Sequence, residues 1–479
     1  MNAAELLLGG KSEAVALIED ERRLTYGELR ARVGQAAAAW SARGLQPGER
    51  CVVGLPDGAD WVAAFLGLIW MGGIPIAISP RTDPALVRDL IADSGAVALL
   101  LEDDVAAAVG DQRALGLGTW RSLLDAAPAP AAFHQADENA PAFWLYSSGT
   151  TGKPKGIVHA HRSAAHAHVF ARDVLGATPA DVFYSTSKLF FAYPLANALF
   201  AGLRLGASVV LDAEWPNPER VARNVARYCP TLLFSVPTLY RRLTEAGVPF
   251  ASLRRAVSAG EACPPDVAED WLRLTGLSLV NGYGTTETLA LMLYRTADMS
   301  GIRPTPLTQV RTDDEEGGRD GAVRLWFSHP GVALGYSRVV THDSARFRGN
   351  AFSPGDLFRP AGADADAGWA FAGRSDQLLK VFGRWVDTVA LEQLLAQRLQ
   401  GKVCESCIVP RGAGHEDTIA LHLFIVPGGT DAAAARVAAE EAVAGLPAYQ
   451  RPQAIHLVDD MPRTETGKLR RGALGRMLE

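Results

Sequence analysis

After the apolar run FWLYSS the chain reads Ser147-Ser148-Gly149-Thr150-Thr151-Gly152-Lys153-Pro154-Lys155-Gly156. A loop so rich in Gly, Ser and Thr offers backbone N–H groups and hydroxyls as an anion-binding concavity. Gly149, Gly152 and Gly156 can take the positive φ values that such loops need, and Lys153 and Lys155 add positive charge. The chemistry this fits is phosphate binding. It is not the loop of the common nucleotide hydrolases, which needs four residues before its Gly-Lys pair and then Ser or Thr. Here two residues separate Gly149 from Gly152, and Pro154 follows Lys153. A second group, Asn281-Gly282-Tyr283-Gly284-Thr285-Thr286-Glu287-Thr288-Leu289, follows the strand-like run LSLV. Glu287 is a hard oxygen ligand of the kind a magnesium ion takes beside phosphate oxygens. Read alone, Thr-Thr-Glu also fits a capped helix start.

Together these strings identify the chain as similar to the adenylate-forming superfamily: acyl- and aryl-CoA synthetases, adenylation domains and luciferases. YSSGTTGKPKG resembles its phosphate-loop motif, and further motifs recur in the family's order along nearly the whole chain. Ser258 to Ala262 resembles the segment that lines adenine. NGYGTTETL resembles the motif whose Tyr stacks on adenine, whose Thr contacts phosphate and whose Glu holds magnesium. Ser353-Pro354-Gly355-Asp356 resembles the ribose-binding motif, with Pro354 where Thr is usual. Gly373-Arg374-Ser375-Asp376 resembles the junction of the large and small domains, and Pro462 to Lys468 the C-terminal motif with the catalytic lysine.

The resemblance therefore implies catalytic roles for Lys468, Glu287 and Thr150, with Glu287 holding Mg²⁺. It implies ATP and AMP contacts from Ser147, Ser148, Gly149, Thr150, Thr151, Gly152, Lys153, Gly260, Glu261, Ala262, Asn281, Tyr283, Gly284, Thr285, Thr286, Asp356, Arg374 and Lys468. Asp376 would be the hinge, and Gly383 would lie beside the thiol channel. The reaction implied has two steps, from acid and ATP to acyl-AMP, and then to a thioester with CoA or with the phosphopantetheine arm of an acyl carrier protein. A cation such as Lys468 offsets the charge that gathers when a carboxylate approaches a phosphate. A different class, a catalytically silent nucleotide-binding module, predicts damaged motifs, whereas Glu287, Asp356 and Lys468 all stand.

The acid is addressed by SKLFFAYPLANAL, Ser187 to Leu199. Amino-acid-activating relatives carry an Asp here for the substrate ammonium, and none lies between Ser187 and Leu211. The run is similar to that of benzoate-type CoA ligases. Phe190, Phe191, Ala192 and Tyr193 would form an aromatic wall that excludes water, with the Tyr193 hydroxyl available to a ring substituent. By the same likeness Ala259, Gly282, Gly284 and Leu289 would border the ring. An aromatic acid is the substrate expected.

The elements that must position these residues follow from pattern. Helical stretches alternate with short apolar strands (CVVGLP, IPIAIS, VALLL, then DVFYSTS, ASVVLD, TLLFSVP, RRAVSAG, LSLVNGYG), which reads as α/β with mostly parallel sheets flanked by helices. The expected domains are an N-terminal AMP-binding domain, residues 1–375, and a small mobile C-terminal α+β domain, residues 376–479. Trp61 to Ile78 carries no charge, but Gly72, Gly73 and Pro75 break it, so it reads as buried helix, turn and strand rather than a membrane span. The net charge of −6 gives no nucleic-acid footprint. Five scattered cysteines fit a reducing cytoplasm, and the CxxC pair Cys404 and Cys407 sits in a strand-like run. His159, His161, His166 and His168 lack the neighbouring acids or thiols of a metal cluster and read as structural. The chain is shorter than is usual in the family, and Gly301 to Gly318 lacks the usual Gly-x-Pro-x-Pro-Gly stretch.

Overall fold

The computed structural model describes the chain except residues 129–131, 148–153, 314–320, 338–344, 363, 365–366, 375–377, 382–383, 413–418, 429–430, 464–468 and 479. The expected site residues Ser148, Gly149, Thr150, Thr151, Gly152, Lys153, Asp376, Gly383 and Lys468 lie outside the described residues, as does the Arg374 side chain. The chain forms two compact units. One comprises Met1–Thr312, Trp326–Pro354 and Pro360–Ala370; the other comprises Asp313–Leu325, Gly355–Arg359 and Phe371–Glu479.

The larger unit is built on two sheets. In the first, the strands Leu279–Tyr283, Arg255–Ser258, Leu232–Ser235, Val182–Ser185, Ser208–Leu211 and Val15–Glu19 lie side by side and parallel, with antiparallel strands only at the edges. In the second, Pro141–Ser147, Ile74–Ala77, Arg50–Gly54, Ala98–Leu101 and Ala114–Gly116 run parallel. Lys155–Ala160 returns antiparallel to Pro141–Ser147, and Gly335–Tyr336 pairs with Lys155–Ala160. Parallel strands are buried on both faces, which is why they read as continuous apolar runs rather than alternating ones. The expected α/β fold with mostly parallel sheets is what forms.

The uncharged stretch becomes the helix Ala59–Trp70 and the strand Ile74–Ala77. Every residue of the helix except Asp60 is buried, and Trp61 stacks on Phe65 with ring centroids 4.6 Å apart. No described helix is long and apolar enough to cross a membrane. The helix Tyr26–Ala42 begins where Thr25 and Glu28 cap one another: the Thr25 hydroxyl accepts the Glu28 N–H and the Glu28 carboxylate accepts the Thr25 N–H. Such reciprocal capping satisfies two otherwise orphaned donors.

In the smaller unit, Val403–Arg411, Ala420–Pro427 and Ala454–Leu457 form a three-stranded sheet, and the helices Thr388–Arg398 and Ala432–Ala444 contribute to its core with Leu395, Ile408, Leu423, Ile425 and Ala439. Cys404 is exposed and Cys407 buried, as expected of strand positions three apart, which face opposite ways.

Three of the four clustered histidines have individual structural settings. His161 Nδ1 accepts the Ala3 N–H at 3.2 Å, and the His166 ring lies 2.9 Å from the Arg162 carbonyl oxygen. His159 is fully buried and stacks on Phe143, centroids 5.0 Å apart. Burial pushes His159 down to about 3 and His329 to about 4. An unfolded histidine takes its proton near pH 6.5, so the unfolded chain gains protons that the folded chain refuses. Stability is therefore complete above that pH and is lost as the pH falls from about 6.5 towards 4. His159 alone is expected to cost on the order of 2 kcal/mol at pH 5. Thermal unfolding followed by circular dichroism across this window should show a shallower acid slope for His159→Phe than for the wild type, and identical slopes would refute the assignment.

Candidate active site

Three parallel strands end in step. Their register sets Ser235 beside Ser258 and Ser258 beside Asn281. Each strand then turns out of the sheet at its carboxyl end, the edge where open α/β sheets hold ligands. After Ser258 the chain turns through Gly260 at φ 90°, a left-handed value that favours glycine. Glu261 next accepts a hydrogen bond from the Thr238 hydroxyl at 2.7 Å, and Ala262 follows. Asn281 and Tyr283 close the third strand, with the Tyr283 ring 6.1 Å from Phe327. Thr285 opens a single tight turn, Thr286–Thr288: its N–H donates to the Thr288 hydroxyl at 2.9 Å, and its carbonyl accepts the Thr288 N–H. A capped start therefore does form at Thr285, over a single short turn. The Thr288 hydroxyl is spent on the turn, whereas the buried Thr285 hydroxyl has no hydrogen-bond partner among the described residues. Buried hydroxyls are seldom left so without a reason.

The Glu287 side chain is half-buried, and one of its oxygens accepts the Tyr336 hydroxyl at 2.9 Å. Its carbonyl takes the Ala333 N–H at 2.8 Å, so both ends of the residue are anchored to the segment 333–336. Tyr336 itself pairs with Ile157 on the strand that leaves the phosphate loop. The Lys155 ammonium lies 5.1 Å from the centre of the Tyr336 ring, within cation–π range. The loop's ends face one another, since Ser147 pairs with Lys155. Asp93 ties this edge down by accepting the Tyr146 hydroxyl at 2.8 Å and the Ser337 hydroxyl at 3.0 Å. Gly156 is required here by close approach. A Cβ would sit 2.7 Å from Ser337 Oγ and 3.2 Å from the Tyr146 ring. The structure thus brings Ser147 and Lys155, the ends of the expected phosphate loop, and Glu287 into one network through Tyr336. A carboxylate, hydroxyls and a lysine in this arrangement can hold a hard dication and phosphate oxygens. Sequence reasoning missed Tyr336, Ser337 and Asp93. No local pattern marks them, because their partners lie far away in the chain.

In the segment expected to meet the acid, Phe190 and Phe191 touch, with centroids 4.0 Å apart, and Phe190 meets Trp215 edge-on at 6.5 Å. Ala192 and Ala259 are buried. One expectation needs correction. The Tyr193 hydroxyl proton is not free for a substituent: it is donated to the Val257 carbonyl at 2.9 Å, and burial raises the group's pKa well above the usual phenol value. Gly282 and Gly284 lie against the returning chain. A Cβ at Gly282 would meet Leu291 Cδ1 at 2.5 Å, and one at Gly284 would meet the Ala290 carbonyl at 2.8 Å. These glycines let the segment 290–291 pack against the strand. Leu289, also expected at the ring, is buried with φ 58° and ψ −60°. Backbone strain of this sort in a non-glycine residue costs on the order of 1–3 kcal/mol.

In the smaller unit, Gly355 at φ 81° precedes Asp356, which opens the strand Asp356–Pro360 and is buried. Arg374 closes the strand Trp369–Arg374.

The AMP-binding enzyme family matches this chain over residues 8–337. The chain belongs to that family. Among its curated relatives, 3-hydroxybenzoate–CoA ligase of Aromatoleum sp. (strain CIB) is 32% identical, covering 100% of this chain and 97% of the relative. Benzoate–CoA ligase of Thauera aromatica is 35% identical, covering 98% and 95%. Among solved structures, a benzoate CoA ligase from Burkholderia xenovorans LB400 aligns with a TM-score of 0.84 at 29% identity, over 99% of both chains. The AMP-binding match spans both the phosphate-loop edge and the Glu287 turn.

If Tyr336 fixes the Glu287 carboxylate for a metal, Tyr336→Phe is expected to weaken binding of Mg²⁺·ATP about tenfold, as for a lost hydrogen bond to a charged group of about 1.5 kcal/mol. ATP binding in excess EDTA should be unchanged. Titration calorimetry decides it, and equal losses in both conditions would show that the tyrosine acts on the nucleotide site as a whole.

Proposed function

We propose that this AMP-binding enzyme activates a benzoate-like aromatic carboxylic acid as its acyl-adenylate and transfers the acyl group to CoA. The reading rests above all on likeness over nearly the full length of the chain to relatives named as benzoate and hydroxybenzoate CoA ligases. The aromatic segment at Phe190 and Phe191 supports the substrate class. In the first step a carboxylate oxygen attacks the α-phosphorus of ATP and pyrophosphate leaves. In the second, the CoA thiol attacks the acyl carbon and AMP leaves, the thiol proton passing to solvent or base.

The unpartnered Thr285 hydroxyl and the anchored Glu287 carboxylate fit a magnesium–phosphate group. Magnesium, when bound, neutralises phosphate charge and polarises the phosphoryl oxygens. Glu287 is the residue to hold it, and Tyr336 keeps that carboxylate turned in one direction. The adenine side belongs to Gly260, Glu261, Ala262 and Tyr283, the ribose to Asp356 and Arg374, and the phosphates to the loop from Ser147 to Lys153. Lys468 supplies the cation for the first step alone, while the segment from Asp376 turns about its hinge to present Gly383 for the second.

The Tyr193 hydroxyl is committed to Val257, so recognition of the ring by this segment is through apolar faces rather than that hydroxyl. A pyrophosphate-release screen over benzoates, cinnamates and short aliphatic acids is expected to rank benzoates first. A higher kcat/KM for an aliphatic acid would overturn the substrate class. A carrier-protein phosphopantetheine arm presents the same terminal thiol as CoA, and mass analysis of the thioester formed with each acceptor separates them. Lys468→Ala is expected to slow adenylation by roughly a thousandfold, the value of one charge at about 4 Å in a medium of effective dielectric near 20. Transfer from pre-formed acyl-AMP should continue at nearly the wild-type rate, and equal slowing of both half-reactions would defeat the assignment.

A further inference from the structure

Beneath the aromatic segment lies a set of buried charges that the mechanism above does not use. Lys188 is 5% exposed. Its ammonium donates to the carbonyl oxygens of Asp212, at 2.5 Å, and Glu214. Asp57 is 7% exposed and sits just before the helix Ala59–Trp70. Both its oxygens accept the Leu189 N–H, at 3.1 and 3.2 Å. Thus two consecutive residues, Lys188 and Leu189, are tied to two separate parts of the unit, one through a side chain and one through the backbone. The turn is closed by the Phe191 N–H donating to the Lys188 carbonyl at 3.0 Å.

What these ties hold is the start of the acid-recognition segment. Phe190 and Phe191 come next in the chain, and Trp215, which meets Phe190, directly follows Glu214. Trp215 is backed by the Arg81 guanidinium, 4.6 Å from its ring centre. Asp212 is itself held by Arg220 at 2.7 Å and Asn224 at 2.6 Å. Burying an ammonium and a carboxylate is costly unless each is paired. Burial pushes Asp57 up to about 7 and lowers Lys188, while each group's charge opposes the shift of the other. A methionine and a leucine would fill the same space without that cost, so the two buried charges, each bonded to backbone groups, answer a need for direction rather than for packing.

We propose that Lys188 and Asp57 are positioning residues for acid recognition, clamping Phe190 and Phe191 against the Trp215 segment at a fixed spacing. The proposal rests on the reading of Phe190–Tyr193 as the segment that meets the aromatic acid. Neither residue touches the substrate in this account.

The test compares K188M, D57N, the charge-balanced double variant D57N/K188M and F191A, each assayed for KM towards benzoate and towards ATP alongside thermal unfolding. K188M is expected to raise the benzoate KM about tenfold, well short of the roughly hundredfold that a 1 Å misplacement can cost, with the ATP KM within about twofold. Removing one partner of the pair also lowers the melting temperature. The double variant, which leaves no unpaired charge, should regain much of that thermal stability yet keep the raised benzoate KM. If the double variant recovers the wild-type benzoate KM, or if both KM values move together, the pair is merely structural and the proposal fails. If F191A leaves the benzoate KM unchanged, the aromatic-segment reading itself falls and the clamp with it. A raised benzoate KM in F191A with a normal one in K188M removes the clamp alone.

Discussion

Parallel strands in register are the constraint on which the larger unit's candidate site depends. Because Ser235, Ser258 and Asn281 stand side by side, three separate turns leave the sheet at one edge, and residues far apart in sequence become neighbours. Strand pairing has a side-chain period of two, so a slip of one residue would exchange every buried side chain with its opposite face. Ala256, Val257, Leu232, Leu233 and Phe234 are all fully buried, so both faces are close-packed and a slip would set side chains of the wrong size into each space. The apolar content of these strands therefore does more than stabilise the sheet. It fixes the height at which Gly260, Tyr283 and the Glu287 turn emerge.

Around this apolar frame, buried polar groups are paired through long-range bonds. Asp181 illustrates the pattern. Burial works against its charge, yet bidentate hydrogen bonds from Arg254 at 2.6 Å, with the Thr231 and Thr178 hydroxyls, hold it down at about 2. Asp212 likewise accepts hydrogen bonds from Arg220 and Asn224. Such networks contribute little net stability compared with apolar residues of the same volume, but they are directional. That distinction separates the parts of this unit that merely fill space from those that aim a side chain. The Glu287–Tyr336 bond belongs to the second kind, and so, on the clamp proposed above, do the ties of Lys188 and of Asp57.

The strain at Leu289 and the crowding at Gly282 and Gly284 come from the same hairpin-like return of the chain. Leu291 and Ala290 press on the strand so closely that no Cβ fits at either glycine. A tight return directly after the Glu287 turn keeps that turn short, and a short turn holds its carboxylate against Tyr336 rather than letting it range over a longer helix.

Much of this was legible in the sequence for a physical reason. Local signals, such as the apolar runs of buried parallel strands and the charge-free run from Trp61 to Ile78, depend on residues close together in the chain. The segment Ser258–Ala262 and the turn at Glu287 were likewise readable as motifs. Only the tertiary structure decided what each side chain meets. Tyr193 looked like an open hydroxyl until the strand end at Val257 was folded beside it. That Gly282 and Gly284 admit the close approach of Leu291 and Ala290 was visible only once the returning chain was folded against them. Tyr336, Asp93 and Asp57 carried no signal at all, since they find partners 49 to 244 residues away, and Lys188 finds its own 24 and 26 residues on. A hydrogen bond over that distance is set by sheet register and packing, which no window of neighbouring residues contains.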